Sequence, residues 1–202
     1  MTVQSDIHLL FPTIVQTTDY DDAALNEKLV AGVEALRKKI PNTKPEGWIG
    51  SVYTTLHSDI DLLNLAPFSA LKPLILREIS RYAETLHIHA PTQYLRILDA
   101  WLNVYDRNAS QEAHIHQNSV FSGIYYIKAP ADCASVIFQS HEASLMISPT
   151  VTDVDELNST SAAFPARAGR MVIFRSHLRH CVAPNEIDQE RISLAFNVDI
   201  VG

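Results

Sequence analysis

The segment Arg191-Ile192-Ser193-Leu194-Ala195-Phe196-Asn197-Val198-Asp199-Ile200 alternates without a break. On an extended chain Ile192, Leu194, Phe196, Val198 and Ile200 fall on one face, and Arg191, Ser193, Ala195, Asn197 and Asp199 on the other. This is the pattern of a strand with one face in the core. Its register is well specified, because a slip of one residue would exchange the two faces. Residues 95–105 read the same way: Leu98, Ala100, Leu102 and Val104 are uniformly apolar, and Asp99, Trp101, Asn103 and Tyr105 share the opposite face. A polar-aromatic face can meet solvent, but two of them in one small β region can also line a cavity.

Outward from these two strands, the chain from residue 94 onward consists of short alternating segments between turn-formers. Strands are expected over 95–105, 114–127, 135–139, 171–175, 180–182 and 191–201, with loops over 128–134 and 149–165. Before residue 90 the period is helical. Leu25, Leu29, Val33, Leu36 and Ile40 form one stripe, capped by Asp21 or Asp22 and stopped by Pro41. A second helix is expected over 67–86, with Phe68, Leu71, Ile75, Ile79, Tyr82 and Leu86 on one face and Pro73 in its first turn or at a kink. Residues 7–15 suggest a short strand broken at Pro12, and 48–56 a strand or extended loop. The fold class is α+β, mainly β, with an antiparallel sandwich or barrel as the functional half. No linker separates the parts, so 1–202 reads as a single domain, with 1–93 as helical support and 94–202 as the β core.

Composition narrows the function classes. The chain has 202 residues, 47% hydrophobic and 19% charged, in the ordinary globular range. A net charge of −7 opposes non-specific binding to nucleic acid or an anionic membrane, so neither partner is predicted. Cys133 and Cys181 lack metal-ligand spacing and read as thiols in a reducing compartment rather than a disulfide framework. The first residues do not form a signal peptide, and the apolar runs are too short to span a bilayer. A cytoplasmic location is the expectation.

Chemistry concentrates in the histidines. Four of the nine fall in two short stretches, His114/His116 and His177/His180. On an extended segment, residues i and i+2 point to one side, so His114 and His116 can reach one ion. Such a pair alone is more often a chance cluster with locally satisfied hydrogen bonds. A third histidine from a later strand, His180 or His177, would complete a facial set with positions left open. Glu112 has the same parity as the pair and could instead supply a carboxylate. Arg191 on a neighbouring strand can grip an anion through a two-pronged contact. Ser193, two residues on, could add a hydroxyl, or simply fill a tapering interior. Asn103, Tyr105, Asn118, Tyr126 and Asn197 could orient a ligand, or be buried groups with local partners. His57, His87, His89 and His141 have no partner spacing, and Arg37-Lys38-Lys39 reads as a solvated helix end.

Taken together, several blocks resemble a known family. His114-x-His116-x-Asn118-Ser119, then Ser122-Gly123-Ile124-Tyr125-Tyr126, then the run from Gly169-Arg170-Met171-Val172-Ile173-Phe174 to His180, then Glu190-Arg191-Ile192-Ser193, are similar to 2-oxoglutarate/Fe(II) oxygenases of the prolyl-hydroxylase-like superfamily. Leu10-Phe11-Pro12-Thr13 also looks like the start of that subgroup. The resemblance is strongest over 95–198. It implies a double-stranded β-helix, or jelly roll, with a metal in its mouth; the two helices are expected on its outer face. It further implies Fe(II) as the metal and 2-oxoglutarate as co-substrate. His114 would be the first ligand, His180 the distal one in preference to His177, and Arg191 the partner of the co-substrate carboxylate. Ser193, Asn103 and Tyr105 would complete that pocket. Position 116 departs from the family pattern, with histidine where a carboxylate is usual. Neutral imidazole suits ferrous iron, so His116 is taken as the third ligand.

The implied activity is hydroxylation of a small-molecule or peptide substrate that the sequence does not specify, by a protein that could pair as a homodimer. Two rival readings use the same residues. A cupin-like metal enzyme also carries His-x-His and a later histidine, but it expects a glutamate that is missing here and gives Arg191 no role. A non-catalytic binding module on the same fold would account for the absent carboxylate at 116.

Overall fold

The computed structural model describes residues 3–141, 147 and 149–201. In chain order, β1 is Val15–Asp19, α1 Ala23–Arg37, β2 Tyr53–Thr54, α2 Leu71–Thr85, β3 Leu95–Tyr105 and β4 Gln111–His114. They are followed by β5 Phe121–Lys128, β6 Val136–Gln139, β7 Ser161–Phe164, β8 Arg170–Arg175, β9 His180–Val182 and β10 Arg191–Ile200. The strands form two antiparallel sheets. One has six strands in the order β1-β8-β5-β10-β3-β2, the other four in the order β4-β9-β6-β7. The chain is thus mainly β with two helices.

Side-chain alternation distributes these strands between two main cores, and a third small cluster of Val52, Tyr105, Ala109, Ala134 and Val182 lies between the sheets. Ile192, Leu194, Phe196 and Val198 of β10 join Leu102, Val104, Phe121, Tyr125, Met171 and Ile173 in one buried cluster. Leu29 and Val33 of α1 and Leu71, Ile75, Ile79 and Tyr82 of α2 belong to the same cluster. The opposite face of the six-stranded sheet contributes Ile124, Tyr126, Val172 and Phe174 to a second cluster, with Val136 and Phe138 of β6. The larger cluster therefore links the helices to the large sheet, and the smaller links the two sheets.

The helices follow their stripes. Asp22 caps α1, its side chain accepting from Leu25 N at 2.9 Å, and Pro73 lies in the first turn of α2, where a missing N–H is tolerated. Gly169 opens β8 with φ +82°, and a Cβ there would run into the Tyr20 carbonyl. Glycine is required at that turn.

Several expectations need correction. Residues 7–14 form no strand. Pro12 and the left-handed Phe11 interrupt the chain, and pairing begins only at Val15, against Phe174. The expected strand over 114–127 is two strands in different sheets, divided by a turn over 115–120. The loop expected over 149–165 contains β7, whose Ser-Ala-Ala-Phe sequence carries too little alternation to announce a strand. In β3, the register shift opposite Asn197/Val198 inserts one unpaired residue, Leu98, which faces the cavity rather than joining the apolar face.

Gly123 of β5 sits where the ring of Phe196 crosses the strand, and an added Cβ would overlap that ring and approach the Val172 carbonyl at 2.9 Å. Gly123→Ala should therefore destabilise the protein by about 1–3 kcal/mol through overpacking. Urea unfolding should show a lower midpoint with an unchanged slope; an unshifted midpoint would mean that Phe196 moves aside freely.

Candidate metal and co-substrate site

The polar faces of β3 and β10 open on a cavity of about 390 Å³. Asp99, Trp101, Asn103 and Tyr105 come from β3, and Arg191, Ser193, Ala195 and Asn197 from β10, as their alternation indicates. His114, His116 and His180 line the same cavity.

These three histidines converge. Their ligand nitrogens all lie within 4.8 Å of one another, and their ring centroids are 4.4–5.2 Å apart. His114 ends β4 and pairs with His180 of β9 across the ladder. His116 arrives differently from the sequence expectation. It lies beyond β4 in the turn, held by its own N–H to Ser176 O at 2.9 Å. The pair converges because the turn folds back, not because a pleat aligns it.

Each imidazole is anchored through Nδ1. His114 donates to Glu112 O at 2.7 Å, His180 to Leu178 O at 2.8 Å, and His116 to Asn197 Oδ1 at 2.6 Å. Nδ1 as donor leaves Nε2 with a free lone pair, so three acceptor nitrogens are gathered with no proton between them. Burial pushes all three below the usual histidine range. His180 falls furthest, to about 3, through burial and the neighbouring His114 and His116. Neutral, oriented, electron-rich donors of this kind fit a divalent cation.

Neither alternative ligand joins them. His177 is exposed and stacks on His141, with ring centroids 6.4 Å apart. The Glu112 carboxylate accepts from Gly50 N at 2.6 Å and from Gln111 Nε2 at 3.2 Å.

Arg191 lies deeper in the cavity wall. It has no solvent exposure, and its guanidinium carbon stands 4.6 Å from the Tyr105 ring and 4.8 Å from the Tyr126 ring. Tyr105 is its direct partner on β3. Among the described residues, none of the three guanidinium nitrogens has a hydrogen-bond partner, and neither has the Tyr126 hydroxyl. The acids that might have paired with it are engaged elsewhere, Glu190 with Arg37 at 2.6 Å and Asp188 with Arg107 at 2.7 Å. Aromatic faces offset only part of the cost of a buried cation. An anion supplied from outside would complete the site.

The remaining residues have mixed roles. Ser193 is buried on the cavity wall beside Asn103, its partner on β3. With its amide turned so that oxygen and nitrogen exchange places, Asn103 is satisfied locally, its nitrogen donating to Thr54 Oγ1 at 2.8 Å and its oxygen accepting from Trp101 Nε1 at 3.2 Å. Asn118 is exposed at the cavity lining. Trp48 and Trp101 also line the cavity, and the Trp101 ring lies 5.7 Å from that of His116. Sequence reasoning did not single out either indole as a site residue, although Trp101 had been placed on the correct face.

Residues 99–197 match the family model described as "Putative 2OG-Fe(II) oxygenase". Over that segment, which makes up most of the β core, the chain is similar to 2-oxoglutarate/Fe(II) oxygenases. No curated protein matches the chain in sequence. Among solved structures, a prolyl-4-hydroxylase from Pseudomonas putida is similar over 94% of this chain and 94% of its own, at 15% identity and a TM-score of 0.63. The non-heme alpha ketoglutarate dependent epimerase SnoN from nogalamycin biosynthesis aligns over 93% of this chain and 77% of its own, at 14% identity and a TM-score of 0.62. HygX from Streptomyces hygroscopicus, crystallised with nickel, 2-oxoglutarate and hygromycin B, aligns over 93% and 83%, at 14% identity and a TM-score of 0.61. These likenesses establish a shared fold.

The depressed histidines give stability a defined pH dependence. Unfolded, each takes up a proton near pH 6.5; folded, each resists it, so the unfolded chain binds more protons as pH falls. The metal-free protein should lose stability as pH drops below about 6.5, by up to ~1.4 kcal/mol per pH unit for each histidine kept neutral. His180→Gln removes one such group and should flatten the slope between about pH 6.5 and 5 accordingly. Equal slopes in urea titrations of the two proteins would show that His180 protonates freely in the fold.

Proposed function

We propose that this protein is a non-haem Fe(II), 2-oxoglutarate-dependent dioxygenase that hydroxylates a small molecule or peptide, on a double-stranded β-helix whose outer face the two helices cover. The reading takes residues 1–202 as one domain, 1–93 supporting and 94–202 catalytic. A cytoplasmic location suits its two free thiols, Cys133 and Cys181. No described helix is long and apolar enough to cross a membrane. The one observation that carries the reading is the fully buried, unpartnered guanidinium of Arg191 in the same cavity as three converging neutral imidazoles.

Under this reading His114, His116 and His180 hold the ferrous ion, and Arg191 receives a carboxylate of 2-oxoglutarate through its planar fork. The Tyr126 ring packs on the Arg191 guanidinium, and its buried hydroxyl has no partner among the described residues. Ser193 adjoins them; Tyr105 forms one face of the guanidinium slot, and Asn103 braces the neighbouring wall. Iron and the keto acid together supply the oxidising chemistry, driven by decarboxylation of the co-substrate. Trp48, Trp101, Leu56 and Leu98 screen the cavity from water and leave an aromatic and aliphatic surface for the primary substrate. The cupin-like alternative leaves Arg191 without a function, whereas the oxygenase reading satisfies it.

The test is an anaerobic calorimetric titration of 2-oxoglutarate into the Fe(II)-loaded protein. Binding should be clear in the wild type and lost in Arg191→Ala, since removing a buried charge-assisted pair costs roughly 2–5 kcal/mol. Arg191→Lys should recover part of it, and metal content should stay near normal in both. Absence of 2-oxoglutarate binding by the metal-loaded wild type would remove the oxygenase reading and favour a cupin-like metal enzyme. Separately, alanine at His114, His116 or His180 should each cut metal affinity strongly, while His177→Ala should leave it unchanged; metal analysis after dialysis decides.

A further inference from the structure

Position 116 holds an imidazole where the related pattern holds a carboxylate, and the two differ in what they require. A carboxylate presents acceptors in every orientation. A neutral imidazole has one protonated and one bare nitrogen, and the wrong tautomer would aim an N–H at the ion. His114 and His180 escape the problem because each Nδ1 donates to a backbone carbonyl two residues away. A carbonyl can only accept, so the tautomer follows from the chain itself. His116 has no such carbonyl. Its Nδ1 partner is the side chain of Asn197, an amide that could in principle present either end.

The surroundings fix which end is presented. Asn197 stands in the middle of a row across three strands, opposite Asp99 on β3 and Ser122 on β5. Ser122 Oγ donates to Asn197 Oδ1 at 2.7 Å. Behind it, Ser122 Oγ and Ser176 Oγ are 2.8 Å apart, and Ser119 Oγ donates to Ser176 Oγ at 2.9 Å. These hydroxyls can run in one direction, each donating to the next and finally to the amide oxygen. At the other end, Asp99 faces Asn197 across the β3–β10 ladder. A carboxylate on that side favours the N–H₂ end of the amide and leaves Oδ1 for His116.

The geometry points to Asn197 as the positioning residue that, aligned by Asp99 and by the Ser119–Ser176–Ser122 hydroxyl chain, holds His116 as the Nδ1–H tautomer and so makes a histidine usable as a metal ligand at that place. This inference rests on the three-histidine metal site proposed above. It adds a role for four polar side chains that the resemblance left unassigned, Asn197, Ser119, Ser122 and Ser176. It also explains why two of them, Ser122 and Ser176, are fully buried in an otherwise apolar sheet.

The test begins with metal-free protein, so that it does not depend on the oxygenase reading. Nitrogen-15 chemical shifts of the His116 ring, assigned by comparison with His116→Gln, should report Nδ1 protonated and Nε2 bare in the wild type. Asn197→Asp, made on an Asp99→Asn background so that a donor still faces the new carboxylate, keeps an acceptor for His116 and should keep that tautomer. Asn197→Leu should lose it, giving mixed or inverted shifts. Co(II) titration should then show affinity reduced roughly 10–100-fold in Asn197→Leu and retained in Asn197→Asp. Ser122→Ala should fall between them. If Asn197→Leu does not fold, the Asp variant decides alone: retained tautomer and affinity support the assignment, and loss of either overturns it. A wild-type His116 protonated at Nε2, or Asn197→Leu with unchanged shifts and affinity, also overturns it. A wild type with the expected tautomer but no Co(II) binding would instead sink the metal-site reading, so the two failures are distinguishable.

Discussion

A fully buried positive charge with no hydrogen-bond partner among the described residues, at Arg191, is the constraint on which the interior of the β core depends. Everything adjacent to it is arranged to tolerate a cation without neutralising it. Two tyrosine rings take its faces, and the acids next in sequence are drawn away to Arg37 and Arg107. Had Glu190 or Asp188 turned inward, the guanidinium would be satisfied and the cavity would have no claim on an anion. Under the proposed function, the polar interior would be a site kept incomplete, at some cost in stability, for a ligand that completes it.

The histidine cluster follows the opposite electrostatic logic in the same cavity. There burial holds three bases neutral, and backbone carbonyls or an amide oxygen choose their tautomers. Three neutral bases and one buried cation thus share one chamber, the bases oriented by hydrogen bonds at Nδ1 and the guanidinium held between two tyrosine rings. Rigid donors of this kind reduce the reorganisation needed when ligands arrive.

Much of this was legible in the sequence because period-2 alternation is a strong signal. The faces of β3 and β10 sort into core and cavity as written, apart from Leu98, which a register shift turns outward. The convergence of the three histidines was legible for a partly wrong reason. His114 and His116 do meet, but through a turn anchored at Ser176 rather than through strand parity. No local pattern distinguishes those routes, because the deciding hydrogen bond comes from a residue sixty positions away. Short weak strands such as β7, and the hydroxyl chain behind Asn197, were invisible for a related reason. Serine and alanine carry little preference of their own, and their roles appear only once distant strands are in register.

The two-strand split of the expected 114–127 segment has a mechanical consequence. His114 and His180 ride on the four-stranded sheet, whereas His116 is tethered through Asn197 to the six-stranded one. Any ion held by all three is a rivet between layers that otherwise adhere through a modest apolar cluster. If the three histidines hold an ion as proposed, its occupancy would govern how firmly the two sheets are joined at that end as well as the chemistry, and a chelator would loosen the protein before it inhibited it.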